Sequence, residues 1–579
     1  MNKKQLLMKK LKFSLLATFF CAPLTTTAQN VKINAENFPD ENFRAYLLEQ
    51  DYGKDSVLTS LENIYIRSFD VSGKNIKSLK GIEHFTYLST LNCSNNLLTE
   101  LDVSGCRALT GFTCSDNPLT SLSLPRTIGS MSCNNTLLTE LDLSVVTALK
   151  RLECKNCTQL NELDLSKNTT LEVLHCYDGV LESLNVSECT ALKTLYCGGS
   201  QLTALNLSGC TALTEFFLYD NQLTTLNVSE CTSLNVMNLR ATDNNLLMDT
   251  LNASGCTTLA QAVVNQQVRI LNLSGCTRLS RLVLNDTQLA ALDVSGCTAL
   301  AALNCSGTQL ESLNVSGCTA LTELYCYNTP LTELDVSGCI ALTRLECYHC
   351  QLTSLNVSGC IALARLDCGV DATRGYHYRN QLTTLDVSQN TALTYLNCSG
   401  NQLTTLDVSQ NTVLIYLNCT YNQLTTLDVS KNTKLGALYC YSNQLTDLDV
   451  SSNTALTQLY CFSNQIKGES MDALVSSLPE ATEGGTLRIY YEDASNEGNV
   501  ITKSQVAAAK AKGWISYCTT NGSQWQEYEG VDDDAVGVTL PEVKAGNGTA
   551  EVYTLQGQKV TAPQKGGIYL VGGKKVVVK

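Results

Sequence analysis

The chain has 579 residues, 44% of them hydrophobic and only 16% charged, a globular composition long enough for several domains or one long array. Its formal net charge of -14 argues against nucleic acid or an anionic membrane surface as the main partner, because both reward clustered Lys and Arg.

The N-terminal stretch MNKKQLLMKKLKFSLLATFFCAPLTTTAQN carries lysines at 3, 4, 9, 10 and 12, an apolar core from Phe13 to Phe20, and then small and polar residues. That is the pattern of a secretory signal peptide over residues 1–29, with cleavage expected near Ala28 or Gln29. Phe19 and Phe20 precede Cys21 where a lipid-anchor signal needs small residues, which counts against that anchor. No later segment offers ~18 uninterrupted apolar residues, so no transmembrane segment is expected in the mature chain.

Residues 30–87 read as an N-terminal cap and transitional coil. ENFPDENFRAYLLEQ places Pro39 near a helix start, with Phe43, Leu47 and Leu48 on one side, suited to covering the end of an array. DYGKDSVLTSLE spaces Asp51, Asp55, Thr59 and Glu62 like calcium ligands, but Gly53 stands at a ligand position and Ser56 at the glycine position. No metal or other cofactor is therefore expected. FDVSGKNIKSLKGIEHF reads as a first, transitional coil.

From 88 to 466 the chain repeats itself. Leu385, Leu406, Leu427 and Leu448 recur every 21 residues, as do Leu396, Leu417, Leu438 and Leu459, and the phrase runs back through Leu91 in about 18 copies. The unit is LxxLxCxxNxLxxLDVSxNT, with SGC for SxN in the middle copies, and each half satisfies the leucine-rich-repeat phrase LxxLxLxxN/C. It resembles the nested leucine-rich repeats of the IRREKO type in bacterial surface proteins, and is internalin-like. The resemblance covers Leu88 to Gln465 and implies a β-rich solenoid, in which both halves of the unit are able to form short parallel strands on opposite faces. At ~4.8 Å per coil the array would extend on the order of 90 Å.

Stacked copies share an environment, so they can be compared column by column. In the first half the inward column holds Cys93, Cys114, Cys133, Cys154, Cys176, Cys197, Cys305, Cys326, Cys347, Cys368, Cys398, Cys419, Cys440 and Cys461, exchanging with Leu218, Leu239, Val264 and Leu284. Such a site is apolar core, and Cys there is a small hydrophobe. In the second half Cys106, Cys189, Cys210, Cys231, Cys256, Cys276, Cys297, Cys318, Cys339 and Cys360 alternate with Asn168, Asn390, Asn411, Asn432 and Asn453. Exchange with Asn marks a hydrogen-bonding position where an S–H donor replaces an amide. Parallel Cβ vectors on neighbouring coils disfavour disulfides, so the 28 cysteines are expected to be mostly free, buried thiols.

The outward residue before Val or Leu in the second half is acid or amide in nearly every copy, as in Asp142, Asn185, Asn314 and Asp407, and Ser usually follows the Val or Leu. So monotonous a face carries little ligand information. The outward positions of the first half vary and are rich in aromatics: His175, Tyr177, Tyr196, Phe217, Tyr219, Tyr325, Tyr327, Tyr348, Tyr439, Tyr441, Tyr460 and Phe462 flank the Cys column. One position earlier come Tyr395 and Tyr416, with Arg151, Arg281, Arg344 and Arg365 in other copies. Tyr and Arg on a solvent-facing sheet are the residue types of binding hot spots, although aromatics also suit strands for their own sake. An insertion, GVDATRGYHYRN, interrupts the copy after Cys368 and offers Arg374, Tyr376, His377, Tyr378 and Arg379 as contact residues beside that face, or as a solvated loop.

Residues 467–530 read as a small α/β C-terminal cap: a helix at MDALVSSLP, a strand at TLRIYYED, a helix at KSQVAAAKAKG ended by Gly513, and a strand at WISYC. A linker over 531–548 leads to a β module over 549–579, with alternating strands at EVYTLQGQKV and GGIYLVGGKKVVVK. Val552, Tyr553, Gly557 and Val560, then Gly567, Ile568 and Tyr569, resemble the C-terminal sorting domain of the type IX secretion pathway. The resemblance implies export and attachment at the bacterial cell surface through that machinery, although the segment is shorter than a full domain of that kind.

No GxSxG, HExxH, phosphate-cradling glycine loop or Cys–His pair outside the repeat pattern is present, and the only histidines are His84, His175, His349 and His377. His349 beside Cys350 is an outward residue of a turn whose Cys takes the Asn position. The chain is therefore expected not to be an enzyme. The leading expectation is a secreted or cell-surface, adhesin-like protein that binds a host protein or glycan through the variable aromatic face, an expectation carried by the resemblance. The alternatives are a structural coat or spacer without a specific ligand, and a polysaccharide-capture protein.

Overall fold

The computed structural model describes residues 30–240, 247–264, 267–370, 379–492, 495–520 and 524–533, and the strand residues 552–553, 559–560, 568–571 and 574–577. The signal-peptide residues and residues 371–378 of the insertion lie outside this set. The described chain is a parallel β-solenoid of about 18 turns with few helices. It divides into two compact units, Met1–Cys210 and Thr211–Lys579.

In the first unit, helix α1 (Glu41–Glu49) starts where the Asp40 carboxylate accepts the Asn42 and Phe43 N–H groups, and it buries Phe43 and Leu47. Leu48, expected on the same side, is exposed instead, because it lies off that stripe. A second helix, α2 (Ser60–Tyr65), has a capping box in which Thr59 and Glu62 satisfy one another's backbone. Asp51 pairs with Lys54, so the calcium-like spacing is spent on caps and turns. Phe43, Phe69 and Phe85 pack edge to face and cover the first coil, with Phe69 and Phe85 centroids 4.6 Å apart. The transitional coil is a true ladder member: Ser68–Asp70 pairs in parallel with Thr90–Asn92. Short strands follow one per coil, through Gly111–Thr113, Ser130–Ser132, Arg151–Glu153 and Val173–Tyr177 to Thr194–Gly198.

In the second unit the equivalent ladder runs from Glu215–Tyr219 to Gln458–Tyr460, again one parallel strand per coil. The sequence-predicted cap elements continue it. Strand Gly485–Tyr491 pairs with Gln458–Tyr460 and then with Trp514–Thr520, both in parallel, and Gln524–Glu527 returns antiparallel. Helices α3 (Glu469–Ser477) and α4 (Lys503–Ala511) connect them. Gly513, at φ 83°, takes the left-handed conformation that ends α4. The C-terminal strands form an antiparallel sheet in the order Lys559–Val560, Val552–Tyr553, Ile568–Val571, Lys574–Val577.

Every cysteine among the described residues is buried, and none of them forms a disulfide. Burial lifts the inward thiols, such as Cys114 and Cys398, well above the usual thiol range, which keeps them protonated and unreactive.

Each coil turns at two buried corners, and the two make different demands. At the first, the Asn422 amide donates to the carbonyls of Cys398 (3.1 Å) and Cys419 (3.0 Å), while its oxygen accepts the Leu403 N–H at 3.0 Å. Asn117, Asn401, Asn443 and Asn464 repeat this arrangement. Asn meets both a donor and an acceptor at this corner; in other coils Thr136, Thr308, Thr329, Cys157 and Cys350 stand there and donate to a Cys carbonyl. At the second, Asn411 donates to Val387 O (3.0 Å) and Asn390 O (2.9 Å), and its oxygen meets no donor. The same oxygen is orphaned in Asn168, Asn390, Asn432 and Asn453. A pure donor suffices there, and a thiol supplies it: Cys210, Cys256 and Cys318 each reach a Val carbonyl of the preceding coil at 3.2 Å.

The second face, where the sequence allowed short strands, forms them in part of the coils. Within each unit, pairing occurs where the later coil brings Ser or Asn, at Ser123, Asn185, Asn206, Asn252, Asn272, Asn314 and Asn356. Among the described residues it is missing wherever the later coil brings Asp, including the run Asp386, Asp407, Asp428 and Asp449. The Asn185 amide donates back to Asp164 Oδ1 at 3.0 Å and that of Asn252 to Asn227 Oδ1 at 3.1 Å. A carboxylate has no proton to give and repels the carboxylate before it. What Asp keeps is the bond within its own coil that Asn makes too, as when Asp407 accepts the Ser409 N–H at 2.9 Å and Asn185 the Ser187 N–H at 3.1 Å.

The corner chemistry predicts unequal tolerance. Asn411→Cys keeps a donor and should cost under about 1 kcal/mol, whereas Asn422→Cys strands the buried Leu403 N–H and should cost roughly 2–3 kcal/mol; denaturant titration of the two variants reads the difference. On the second face, Asp407→Asn with Asp428→Asn should install ladder pairing worth roughly 0.5–1 kcal/mol and slow amide exchange at Val408 and Val429.

Candidate binding face

Parallel stacking in register gives the first ladder three outward rows: a leading row before the inward Leu, a middle row between Leu and Cys, and a trailing row after Cys. Arg344, Arg365, Tyr395 and Tyr416 lead on successive strands. Tyr439, Tyr460 and Arg488 are successive in the middle row. Because equivalent positions lie one strand spacing apart, like rings in one row must stack.

In the first unit His175 and Tyr196 stack at 4.7 Å with planes 7° apart, and Lys155 Nζ sits 5.1 Å from the Tyr177 ring centroid. Burial and the nearby Arg151 hold His175 below the usual histidine range, so it is neutral at physiological pH. In the second unit Phe217 and Tyr219 stand half-buried on Glu215–Tyr219. Tyr327 stacks on Tyr348 at 4.6 Å, and the Arg344 guanidinium lies 5.3 Å from the Tyr325 centroid. Further along, Arg365 covers Tyr395 at 3.6 Å, Tyr395 stacks on Tyr416 at 4.5 Å, and Tyr416 meets the edge of Tyr439. Tyr439 then stacks on Tyr460 at 4.3 Å and Arg488 covers Tyr460 at 4.2 Å. Tyr441 stacks on Phe462 at 4.2 Å, and Phe462 packs against Trp525.

Two expectations about exposure are corrected. Phe462 is only 7% exposed, because Tyr441 and the cap's Trp525 and Tyr491 close over it. His349, expected to face outward, is 3% exposed; its φ of 53° folds the ring in against Tyr348. Arg374, Tyr376, His377 and Tyr378 lie outside the described residues.

Four residues of this face were not anticipated: Glu346, Asp367, Arg488 and Trp525. Glu346 accepts from Arg344 Nε (2.9 Å) and Arg365 Nε (3.3 Å), and Asp367 accepts from Asn397 at 2.9 Å and Arg365 at 3.4 Å. The signal for the acids was present as Arg-Leu-Glu and Arg-Leu-Asp, since residues two apart share a strand face. Trp525 gave no such signal, because a hairpin of the cap brings it in. Glu346, Asp367 and Arg365 line a cleft of about 360 Å³ walled by Tyr348, Tyr395 and Tyr416. Among the described residues no group of His, Cys, Asp and Glu could hold a metal ion, and no helix is long and apolar enough to cross a membrane.

With fold and face described, the class is a leucine-rich-repeat solenoid. No family model matches the chain and no curated protein sequence matches it. Among solved structures it is similar to the functional domain of InlJ from Listeria monocytogenes, described as including a cysteine ladder, at 24% identity over 88% of this chain and 94% of that one, TM-score 0.36. YopM from Yersinia enterocolitica matches at 19% identity over 86% and 98%, TM-score 0.43, and a leucine-rich-repeat protein of Leptospira interrogans at 20% over 72% and 95%, TM-score 0.39. With TM-scores below 0.5, no residue's role passes from these proteins to this chain.

Burial pushes the Asp367 carboxyl up to about 6, against the opposing pull of Arg365. The folded state therefore holds this proton more tightly than the unfolded chain, so its contribution to stability is full below pH ~4 and is lost as pH rises through about 6. Asp367→Asn has no such titration. Between pH 4 and 7 the wild type should lose up to roughly 3 kcal/mol relative to that variant, at about 1.4 kcal/mol per pH unit of displacement, as measured by denaturant unfolding at each pH.

Proposed function

We propose that the chain is a secreted or cell-surface, non-enzymatic protein that binds another protein through the aromatic face of its first ladder. The observation that carries the reading is the ring ladder Tyr395, Tyr416, Tyr439 and Tyr460, bounded by Arg365 and Arg488. Rings held by their neighbours have little rotamer freedom left to lose on binding, so they offer rigid, preorganised contact area. Tyr395 and Tyr460 are each covered on both faces, since their partners come from the coils before and after. Stacking on a sugar ring needs an open aromatic face, whereas a protein surface can pack against ring edges and hydroxyl groups. The geometry therefore favours a protein partner over capture of a polysaccharide. The amino-terminal signal pattern and the sorting-type carboxyl terminus support export and surface attachment, and with them an adhesin-like role toward a host protein.

Changing Tyr325, Tyr327 and Tyr348 together to Ala should weaken capture of a cognate extracellular protein by about 30-fold or more, the loss of at least one hot spot. Circular dichroism and the unfolding midpoint should stay those of the folded wild type. A panel of host extracellular proteins set beside a glycan array reads the outcome: binding to glycans alone, or equal capture by wild type and variant, rejects the reading.

A further inference from the structure

On the aromatic face most charges are matched within the protein. Arg344 and Arg365 have Glu346 and Asp367, and Arg151 and Lys155 have Glu153. Among the described residues Arg281 and Arg488 have no acid partner in an ion pair, and of the two only Arg488 is held against rings. Its guanidinium carbon lies 4.2 Å from the Tyr460 centroid and 4.5 Å from the Trp525 centroid. Among the described residues it enters no ion pair and donates no hydrogen bond from its side chain, and its Nε is buried without an acceptor. The residue as a whole is only half-buried, so its Nη end reaches the surface.

A guanidinium is a planar fork of N–H donors directed outward in its plane, and with the Tyr460 and Trp525 rings both against Arg488 an acceptor meets it at its edge. The rings fix the orientation of that edge before any ligand arrives, and they remove water that would compete for it. A planar acceptor with two oxygens matches it, in the paired geometry that Arg makes with carboxylates. Trp525, half-buried, adds an apolar wall next to the charge.

We propose that Arg488, clamped between Tyr460 and Trp525, is a seat for a carboxylate, and that the protein partner supplies it as an Asp or Glu side chain with an apolar neighbour. The proposal names partner chemistry for the binding face and rests on that reading, but its test does not need the partner. Trp525 is a built-in reporter: the other tryptophan, Trp514, is fully buried and its indole N–H is committed to Pro479 O at 2.7 Å.

The test titrates the full chain with N-acetyl-Glu-Phe-amide, its Gln counterpart and inorganic phosphate, following tryptophan fluorescence. The Glu peptide should give a saturable change and the Gln peptide none. Arg488→Gln should weaken the response by about tenfold or more, and Arg488→Lys by less, since it keeps the charge but loses the fork. Tyr460→Leu retains both Arg488 and the reporter and should weaken the response severalfold, which keeps the test usable if Arg488→Gln fails to fold. Equal responses to the Glu and Gln peptides, or an unchanged response in a folded Arg488→Gln or Tyr460→Leu protein, would overturn the seat. Saturation by phosphate without saturation by the Glu peptide would overturn its assignment to carboxylates. A working seat on a chain that captures no protein would sink the binding reading and leave the seat standing.

Discussion

Each coil of this protein turns twice inside a dry core, and at every turn backbone carbonyls point where no water can reach them. In most coils a buried side-chain donor meets them, and that pattern orders the rest of the molecule. At the first corner an N–H can be met as well, which the amide of Asn96, Asn422 or Asn464 does, while Cys157 and Cys350 supply only a donor there. Thr308 and Thr329, which donate only to their own coil's Cys carbonyl, are lesser substitutes. At the second corner only donation matters, and a thiol is enough. The many cysteines thus divide into apolar core residues and weak donors, and neither role calls for disulfide chemistry or a reactive thiolate.

Because those corners hold successive coils in one register, each outward position sits directly over its counterpart in the coil before. Side chains that tolerate their own kind stack, and those that do not must find another partner. Tyr stacks on Tyr, Asn donates to the Asp or Asn below it, and Asp following Asp breaks the second ladder. On the first face Arg and acid two residues apart neutralise each other within one strand, as Arg344 and Glu346 do. What remains toward solvent is a set of rigid ring edges with little net charge, interrupted by Arg488. A surface of that kind loses little entropy on binding and can afford to be selective.

The cleft at Asp367 shows the same economy at a finer scale. Its carboxylate is buried because the rings of Tyr395 and Tyr416 close in beside it, and Arg365 serves both that carboxylate and the Tyr395 face. A cation shared between a ring and two acids fixes all of them, which gives this part of the face a single arrangement.

The period, the inward columns and the two kinds of cysteine could be read directly, because a repeat carries its own alignment and an apolar exchange such as Cys305 for Leu284 has only one physical meaning. The helices and strands at the two ends were legible from local signals, from Pro39 at one end to Gly513 at the other. The rows of tyrosines were legible too, but not how they are used. Whether Tyr395 offers a face or an edge depends on Arg365 and Tyr416 from other coils, and whether Arg488 is matched depends on a hairpin that delivers Trp525 rather than an acid. Leu48, His349 and Phe462 went astray for a related reason, since a turn of backbone or a neighbouring element set their burial. The sequence by itself determined what each coil must bury, because that follows from residue type and period. Only the tertiary structure decided what each outward residue has left to offer a partner, because that depends on what the coils above and below have already taken.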